Sequence, residues 1–486
     1  MRDSQFPRLT RLPRVGLLAL AAAAAPLAAP LAVPLAAQGA PSTLAEALRD
    51  ADRAAFANRR ATAAHDEARR RADLPLRGVL PSARVESGVV RTTDPIGAFG
   101  TLLRQRGVTP AAFDPARLND PAAVTNVQGG LVAEVPLLNV DALMGRRAAR
   151  LAADAVGSSA AWTAVDTRAQ VVRGWYGAVM AAAKVATLTD AQRAAEAAVR
   201  QVEALVRQGL VTRADALQAR VRAGDIAASL LGAQHEAALA ARQLGLLIGA
   251  TDGRSVTVPA ALPDETRLRA LAVADTSTST ASAATAARLD VRAATLGAEA
   301  ARTDVQRAHG TALPRVNSFA RYDWNAPTAL FGGKPNWTIG VMGSWSLPGN
   351  PADRAEVAMA QARARSAASD AAGAAASAQL EVAAARGALT VALARLDLTL
   401  LSAQEAREAQ RLVEKRYVGG LATIAERIGA DATATAAALA ATGARYALID
   451  ALVEWRRVTG GDPGALTVLD ATPTAHDLPS TSGVTR

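Results

Sequence analysis

Residues 141–208 and 352–416 contain no proline, so the chain holds two stretches of 68 and 65 residues through which a helix can run unbroken. At a rise of about 1.5 Å per residue, each would extend roughly 100 Å. Two such rods dictate an elongated architecture in which shorter elements pack alongside them. Half of the 486 residues are hydrophobic but only 3% are aromatic, and the apolar content is largely alanine. Alanine favours helix and lets neighbouring helices approach closely.

The two stretches belong to a repeat. GLVTRADAL at 209–217 is matched by GLATIAERI at 420–428, 211 residues later, and Gly249 has its counterpart in Gly460 at the same offset. Periodicity gives each half the order helix, strand, loop, strand, long helix, tight turn, helix. The first half is predicted as a helix over 43–74, strands over 80–90 and 128–138 around a loop at 91–126, then the long helix. The second is predicted as a helix over 284–309, strands over 314–324 and 336–347, and a long helix over 352–416. The expected boundaries are a first repeat at 38–270, a second at 271–460 and a flexible tail at 461–486, with 250–284 forming a collar. In each half, two shorter helices laid end to end match one long helix. The chain therefore climbs halfway, makes a strand hairpin, descends the full length, turns and climbs halfway back. That geometry puts the two glycine-led turns at the end farthest from the strands.

The first 37 residues read as a signal peptide. Arg2, Arg8, Arg11 and Arg14 precede an apolar run in which Pro26, Pro30 and Pro34 oppose a membrane-spanning helix. Cleavage is expected after Ala37 or Gly39; a retained N-terminal anchor is the alternative. No later stretch reaches 18 consecutive apolar residues, so no helical membrane span is expected. The formal charge of +10 falls to +7 without residues 1–37, and its arginines are scattered among Asp and Glu, which argues against nucleic acid. There is no cysteine, and the four histidines have no partner at ligand spacing. No enzyme chemistry, metal or cofactor is expected.

The strands carry a different signal. In NWTIGVMGSWSL, Trp337, Ile339, Val341, Gly343, Trp345 and Leu347 alternate with polar or small residues. Trp324, Trp337 and Trp345 stand near strand ends, where a bilayer interface favours aromatic rings. Strands of this length cross an outer membrane when tilted; the alternative is a half-buried sheet in a soluble sandwich. Four strands cannot close a barrel, and an open edge in lipid is costly, so a membrane reading requires several copies of the chain.

With these residues in view, the chain resembles the TolC-like outer membrane efflux protein family. The resemblance runs from about residue 43 to 460. It rests on the duplicated layout and on three passages: 289–324, the loop DPIGAFGTLLRQRGVTPAAF with LNDPAAVTN at 94–126, and RYVGGLATIAERI. It implies a mainly α fold with a transmembrane β-barrel, in which a homotrimer builds a twelve-stranded barrel and a periplasmic α-helical tunnel. It also implies a passive exit duct of a tripartite efflux or type I secretion system, docked to a periplasmic adaptor and an inner-membrane pump. The alternative is a periplasmic helical-hairpin adaptor or scaffold protein.

The repeated turn supplies the candidate site. Gly209 and Gly420 allow a long helix to stop and reverse, and Thr212 and Thr423 stand at N-cap positions with Asp215 and Glu426 three residues later. That spacing is first a capping box. The resemblance implies a second role, in which Asp215 and Glu426 line a constricted mouth and Tyr417 hydrogen-bonds Asp215 as a latch. Gly429 and Ala422 stand where the family pattern has a further acid and an arginine. Asp290 and Arg292 are read as helix-start residues. Leu439, Tyr446, Ile449 and Val453, beside Leu448, Leu452 and Trp455, are read as packing seams.

Overall fold

The structure, a computed structural model, describes residues 41–251, 253, 255–277, 288–345 and 351–470. The expected signal peptide lies outside the described residues, as does the tail beyond residue 470. The first half comprises α1 (Leu44–Ala54), α2 (Phe56–Arg71), β1 (Ser82–Thr92), α3 (Pro95–Arg104), α4 (Pro115–Asn119), β2 (Val124–Leu138), α5 (Val140–Arg207), α6 (Arg213–Leu247) and α7 (Glu265–Ser277). The second comprises α8 (Leu289–Gly310), β3 (Arg315–Ala326), β4 (Pro335–Ser344), α9 (Pro351–Val418) and α10 (Ile424–Val458). The duplication survives in three dimensions. Helices α5 and α9 both have 68 residues and α6 and α10 both have 35, with each pair displaced by 211 positions.

Two expectations for the first half change. The helix expected over 43–74 is broken at Ala55, whose backbone is extended at φ −56° and ψ 132°. Asn58 Nδ2 donates to Ala51 O at 3.2 Å, and Thr167 Oγ1 on α5 donates to Asn58 Oδ1 at 2.9 Å. Gly249 approaches the same bend so closely that a Cβ there would lie 2.2 Å from Ala54 O. The loop expected over 91–126 contains two helices, each begun by an Asp-Pro pair. Asp94 accepts from Gly97 N at 2.6 Å and Asp114 from Ala116 N at 3.1 Å, with proline at the first helical position where its missing N–H costs nothing.

All four strands join one antiparallel sheet in the order β1-β2-β3-β4, which leaves β1 and β4 as its edges. The repeats meet inside it: β2 pairs with β3 from Val127 opposite Ala326 to Leu138 opposite Val316. Below the sheet, α5 packs on α2, α6 and α8, and α9 packs on α8 and α10.

The large buried side chains gather near the middle of α5. Val171, Val172, Trp175, Tyr176 and Val179 meet Leu44, Leu48 and Ala51 of α1, Leu389 and Leu396 of α9, and Leu448, Ile449, Leu452, Val453 and Trp455 of α10. The seams expected on α10 are thus core. This helix is also long and apolar enough to cross a membrane by length and composition, contrary to the expectation of none, but its C-terminal part is committed to packing. Helix α7, in the region expected to form a collar, lays Leu268 and Ala272 on the same core, and Trp455 Nε1 donates to Asp275 O at 3.1 Å. The described chain also continues past residue 460. Pro463–Leu469 is a 3-10 helix with Pro463, Leu466 and Leu469 buried, and Asp470 accepts from Leu44 N at 3.2 Å and Tyr176 Oη at 3.0 Å. Burial pushes the Asp470 carboxyl above its usual range despite those two hydrogen bonds.

Beside the core an ionic cluster joins the halves. Arg288, 2% exposed, pairs with Asp290 at 2.6 Å and with Glu381 of α9 at 2.9 Å, and its guanidinium lies 5.0 Å from the ring centre of Trp162 on α5. Arg457 of α10 lies 5.4 Å from the same ring. Burial opposes ionisation of Asp290, but the hydrogen bond and charge of Arg288 outweigh it and hold the carboxyl below its usual range. Asp290 is therefore at a helix start, as expected, and its partner there is the buried Arg288.

Gly209 and Gly249 both have positive φ, +72° and +91°, but only Gly249 lies against backbone. Gly209→Ala is expected to cost about 1 kcal/mol for the left-handed conformation alone. Gly249→Ala must also displace Ala54, and its thermal denaturation midpoint should fall clearly further; equal midpoints would show that the approach at Ala54 is slack.

Candidate functional site

The sheet has two faces of opposite chemistry. Val85, Leu131, Tyr322 and Trp337 form one row across all four strands, and Ala83, Ala133, Ala320 and Ile339 form the next. Val341 follows on the same face. Among the described residues no element covers this surface: Trp337 is 72% exposed and Ile339 70%. A strand shows alternate side chains on alternate faces, so the intervening residues form the other surface. There Arg84, Glu86, Glu134, Arg321 and Asp323 are bound together. Arg84 pairs with Glu86 at 2.8 Å and Glu134 at 3.4 Å, and Arg321 pairs with Glu86 and Asp323, each at 2.8 Å. Asn317 Nδ2 donates to Glu134 Oε1 at 2.8 Å.

The expected interface aromatics fall at both ends of the apolar face. Trp324 stacks edge-on with Tyr322 at 4.8 Å and with Phe331 at 5.3 Å, near the loop end of the sheet. Trp337 lies at that end of β4. Trp345 follows β4 at the helical end, where its Nε1 donates to Ala312 O at 3.0 Å. Eight residues separate Trp337 from Trp345, which at strand rise is about 26 Å.

At the opposite end of the long helices are the two repeated turns. Gly209 and Gly420 both have φ +72°. Leu210 N donates to Leu205 O at 2.9 Å and Leu421 N to Arg416 O at 2.8 Å, so both helices close on the same six-to-one hydrogen bond. Both capping boxes form. Thr212 Oγ1 accepts from Asp215 N at 3.3 Å while Asp215 Oδ2 accepts from Thr212 N at 2.9 Å. In the second turn, Thr423 Oγ1 accepts from Glu426 N at 3.2 Å and Glu426 Oε2 accepts from Thr423 N at 3.0 Å.

The expected bond between Tyr417 and Asp215 is absent. Tyr417 Oη is buried without a hydrogen-bond partner, and its ring packs on Val202, Ala216, Ala219 and Ile424. Asp215 Oδ2 is instead engaged by Thr212, whose hydroxyl lies 2.7 Å away. Beside that apolar contact, Arg427 makes a polar link between the two hairpins. Its guanidinium lies 4.9 Å from the Tyr417 ring centre, pairs with Glu414 of α9 at 2.6 Å, and donates through Nη1 to Gln201 of α5 at 2.9 Å. Glu414 has a counterpart at the repeat offset in Glu203, which pairs with Arg220 across the first turn at 2.6 Å. The duplication could have exposed this pair of glutamates; periodicity within one helix could not. Among the described residues, no group of three or more His, Asp or Glu is placed to hold a metal ion.

Residues 280–461 match the family of outer membrane efflux proteins. The fold is similar to a membrane protein from Pseudomonas aeruginosa, 20% identical, with a TM-score of 0.72 over 86% of this chain and 90% of that one. It is similar to the Campylobacter jejuni CmeC outer membrane channel, 15% identical, with a TM-score of 0.71 over 86% of each chain. The outer membrane protein VceC of Vibrio cholerae is 19% identical, with a TM-score of 0.71 over 86% of this chain and 96% of that one. No curated protein sequence matches.

The geometry of the tip predicts opposite outcomes for two substitutions. Tyr417→Phe removes a hydroxyl that has no partner, so denaturation should shift by no more than about 0.5 kcal/mol. Arg427→Ala removes the polar tie between the hairpins and should cost about 1.5–3 kcal/mol. A destabilised Tyr417→Phe protein would mean that the hydroxyl is bonded after all.

Proposed function

We propose that this chain, whose residues 280–461 match the family of outer membrane efflux proteins, is the outer-membrane exit duct of a tripartite efflux or type I secretion system. It acts as a passive conduit, not an enzyme, and sits in the outer membrane with its helices in the periplasm. The observation that carries this reading is the bare apolar face of the sheet, backed by an ion-paired polar face. In a soluble sandwich the apolar face would be packed and the ionic face solvated. Here the helices leave the apolar face uncovered, which suits a strand set with lipid outside and water inside.

The edges then set the assembly. β1 and β4 each present unpaired backbone groups, which hydrocarbon does not tolerate. Pairing β4 of one copy with β1 of the next satisfies both, and three copies close a barrel of twelve strands over a tunnel of helices. The capped turns fall at the periplasmic mouth of that tunnel, where Asp215 and Glu426 bring six carboxylates into a homotrimer and favour cations. The mouth is the docking point for a periplasmic adaptor and, through it, an inner-membrane pump that supplies the energy. Two strand pairs merged in one sheet between long helices leave no support for the adaptor alternative.

The test is a pair of arginines on opposite faces. Ile339→Arg puts a charge in lipid at a cost of about 2–4 kcal/mol and should empty the outer-membrane fraction of heat-modifiable trimer. Asn336→Arg, beside Asp323 on the polar face, should leave that fraction unchanged. Equal recovery of both variants, or a detergent-independent monomer, refutes the barrel.

A further inference from the structure

The two strand connections are unequal. Residues 327–334 join β3 to β4, whereas residues 93–123 join β1 to β2 and contain α3 and α4. Helix α3 is folded back onto the polar face at the loop end of the sheet. Gln105 Nε2, just past its C-terminus, donates to Thr125 O at 2.8 Å and to Asn126 Oδ1 at 3.0 Å. Asn126 Nδ2 in turn donates to Asn325 Oδ1 at 2.8 Å. By strand alternation both asparagines point to the same side as Arg84, Glu86 and Arg321, and both are buried, at 4% and 3% exposure. That side of α3 is also where Ala98 is buried.

The segment is anchored at each end. Asp94 caps the start of α3. At its end Gly107 N donates to Leu102 O at 2.9 Å, closing a turn in which Arg106 takes φ +54°, a conformation usually left to glycine. This aims Arg106 back across the sheet, where Nη2 donates to Pro335 O at 3.4 Å, at the start of β4. Phe99 and Phe113 pack edge-on at 5.7 Å and tie α3 to the following turn. Three large apolar side chains of the segment, Ile96, Leu103 and Phe113, are exposed.

We propose that the α3–α4 segment is a lid folded into the outer end of the conduit, where three copies converge on Ile96, Leu103 and Phe113 and form an apolar constriction at the exit. The inference rests on the barrel reading, because that reading makes the polar face the lumen. A ring of apolar side chains in a water-filled passage resists wetting and slows small ions, yet parts for a bulky amphipathic solute that can itself contact the ring. The constriction therefore acts at the end opposite the capped turns. Gln105 and Arg106 are its positioning residues.

Since the natural chain has no cysteine, Ile96→Cys in the full-length trimer reports the geometry. A short bismaleimide is expected to join subunits to one another, and adding Gln105→Ala should reduce that product severalfold while raising single-channel conductance in planar bilayers. Phe113→Cys serves as the second position should Ile96→Cys not assemble. A trimer that forms channels but gives no intersubunit product at either position overturns the lid and leaves the barrel standing. A protein that forms no channels in the cysteine-free form defeats the barrel reading itself, and the lid with it.

Discussion

The constraint on which the rest of this structure depends is that a sheet with one apolar and one ion-paired face has, among the described residues, no helix to cover the apolar one. Long helices could have supplied that cover, but they run away from the strands and pack on one another. Alanine makes this possible. Away from the central cluster, the buried positions of α5, α8 and α9 are largely alanines, among them Ala148, Ala153, Ala298, Ala308, Ala360 and Ala378. Such seams bring helix axes close and bury little area per residue, so each helix can be held along its length without a globular core. The large side chains are concentrated where α1, α5, α7, α9 and α10 meet, and there they fix the two halves against each other.

Much of this was legible because it follows from periods. The absence of proline gave both long helices to within two residues at each end, and the offset of 211 placed the turns, caps and terminal glycines in both halves. Alternation in 336–345 identified the apolar face of β4, and left open whether that face is packed or bare. What stayed hidden depends on contacts between elements distant in sequence. The bend at Ala55 has neither proline nor glycine; it is held by Asn58 and Thr167 and by the approach of Gly249. Arg288 looks like any helical arginine until Glu381 and Trp162 are brought to it. The helices within 91–126 are a different case, since Asp94-Pro95 and Asp114-Pro115 are start signals that the loop-like composition around them outweighed.

The candidate site divides along the same line. Local geometry fixed the capping boxes, in which Thr212 with Asp215 and Thr423 with Glu426 cap their helices as expected. A latch between Tyr417 and Asp215 needed two hairpins to meet in a particular way, and the polar link between them is Arg427 instead. Capping and latching also compete for one carboxylate: Asp215 Oδ2 already accepts from the backbone and hydroxyl of Thr212, and turning it to Tyr417 would break the box that begins α6. Arg427 carries no such conflict, because its partners Glu414 and Gln201 lie on helix faces rather than in caps.

The surfaces of the helical hairpins extend the argument from the sheet to the tunnel. Helix α6 exposes Leu217, Val221, Leu231 and Leu246, and α9 exposes Leu380, Val391, Leu398 and Leu401. Steps of 11, 7 and 3 separate these residues along α9, each close to a whole number of helical turns, so they form a stripe rather than scattered points. An isolated hairpin in the periplasm would hold both stripes in water along much of its length. In the proposed ring of copies each stripe would gain a neighbouring helix, and the rotation that would pair β4 with β1 would bring adjacent hairpins side by side. One symmetry operation would thus address two unrelated liabilities, unpaired backbone at the sheet edges and uncovered leucines on the helices. A soluble scaffold would have to solve each separately.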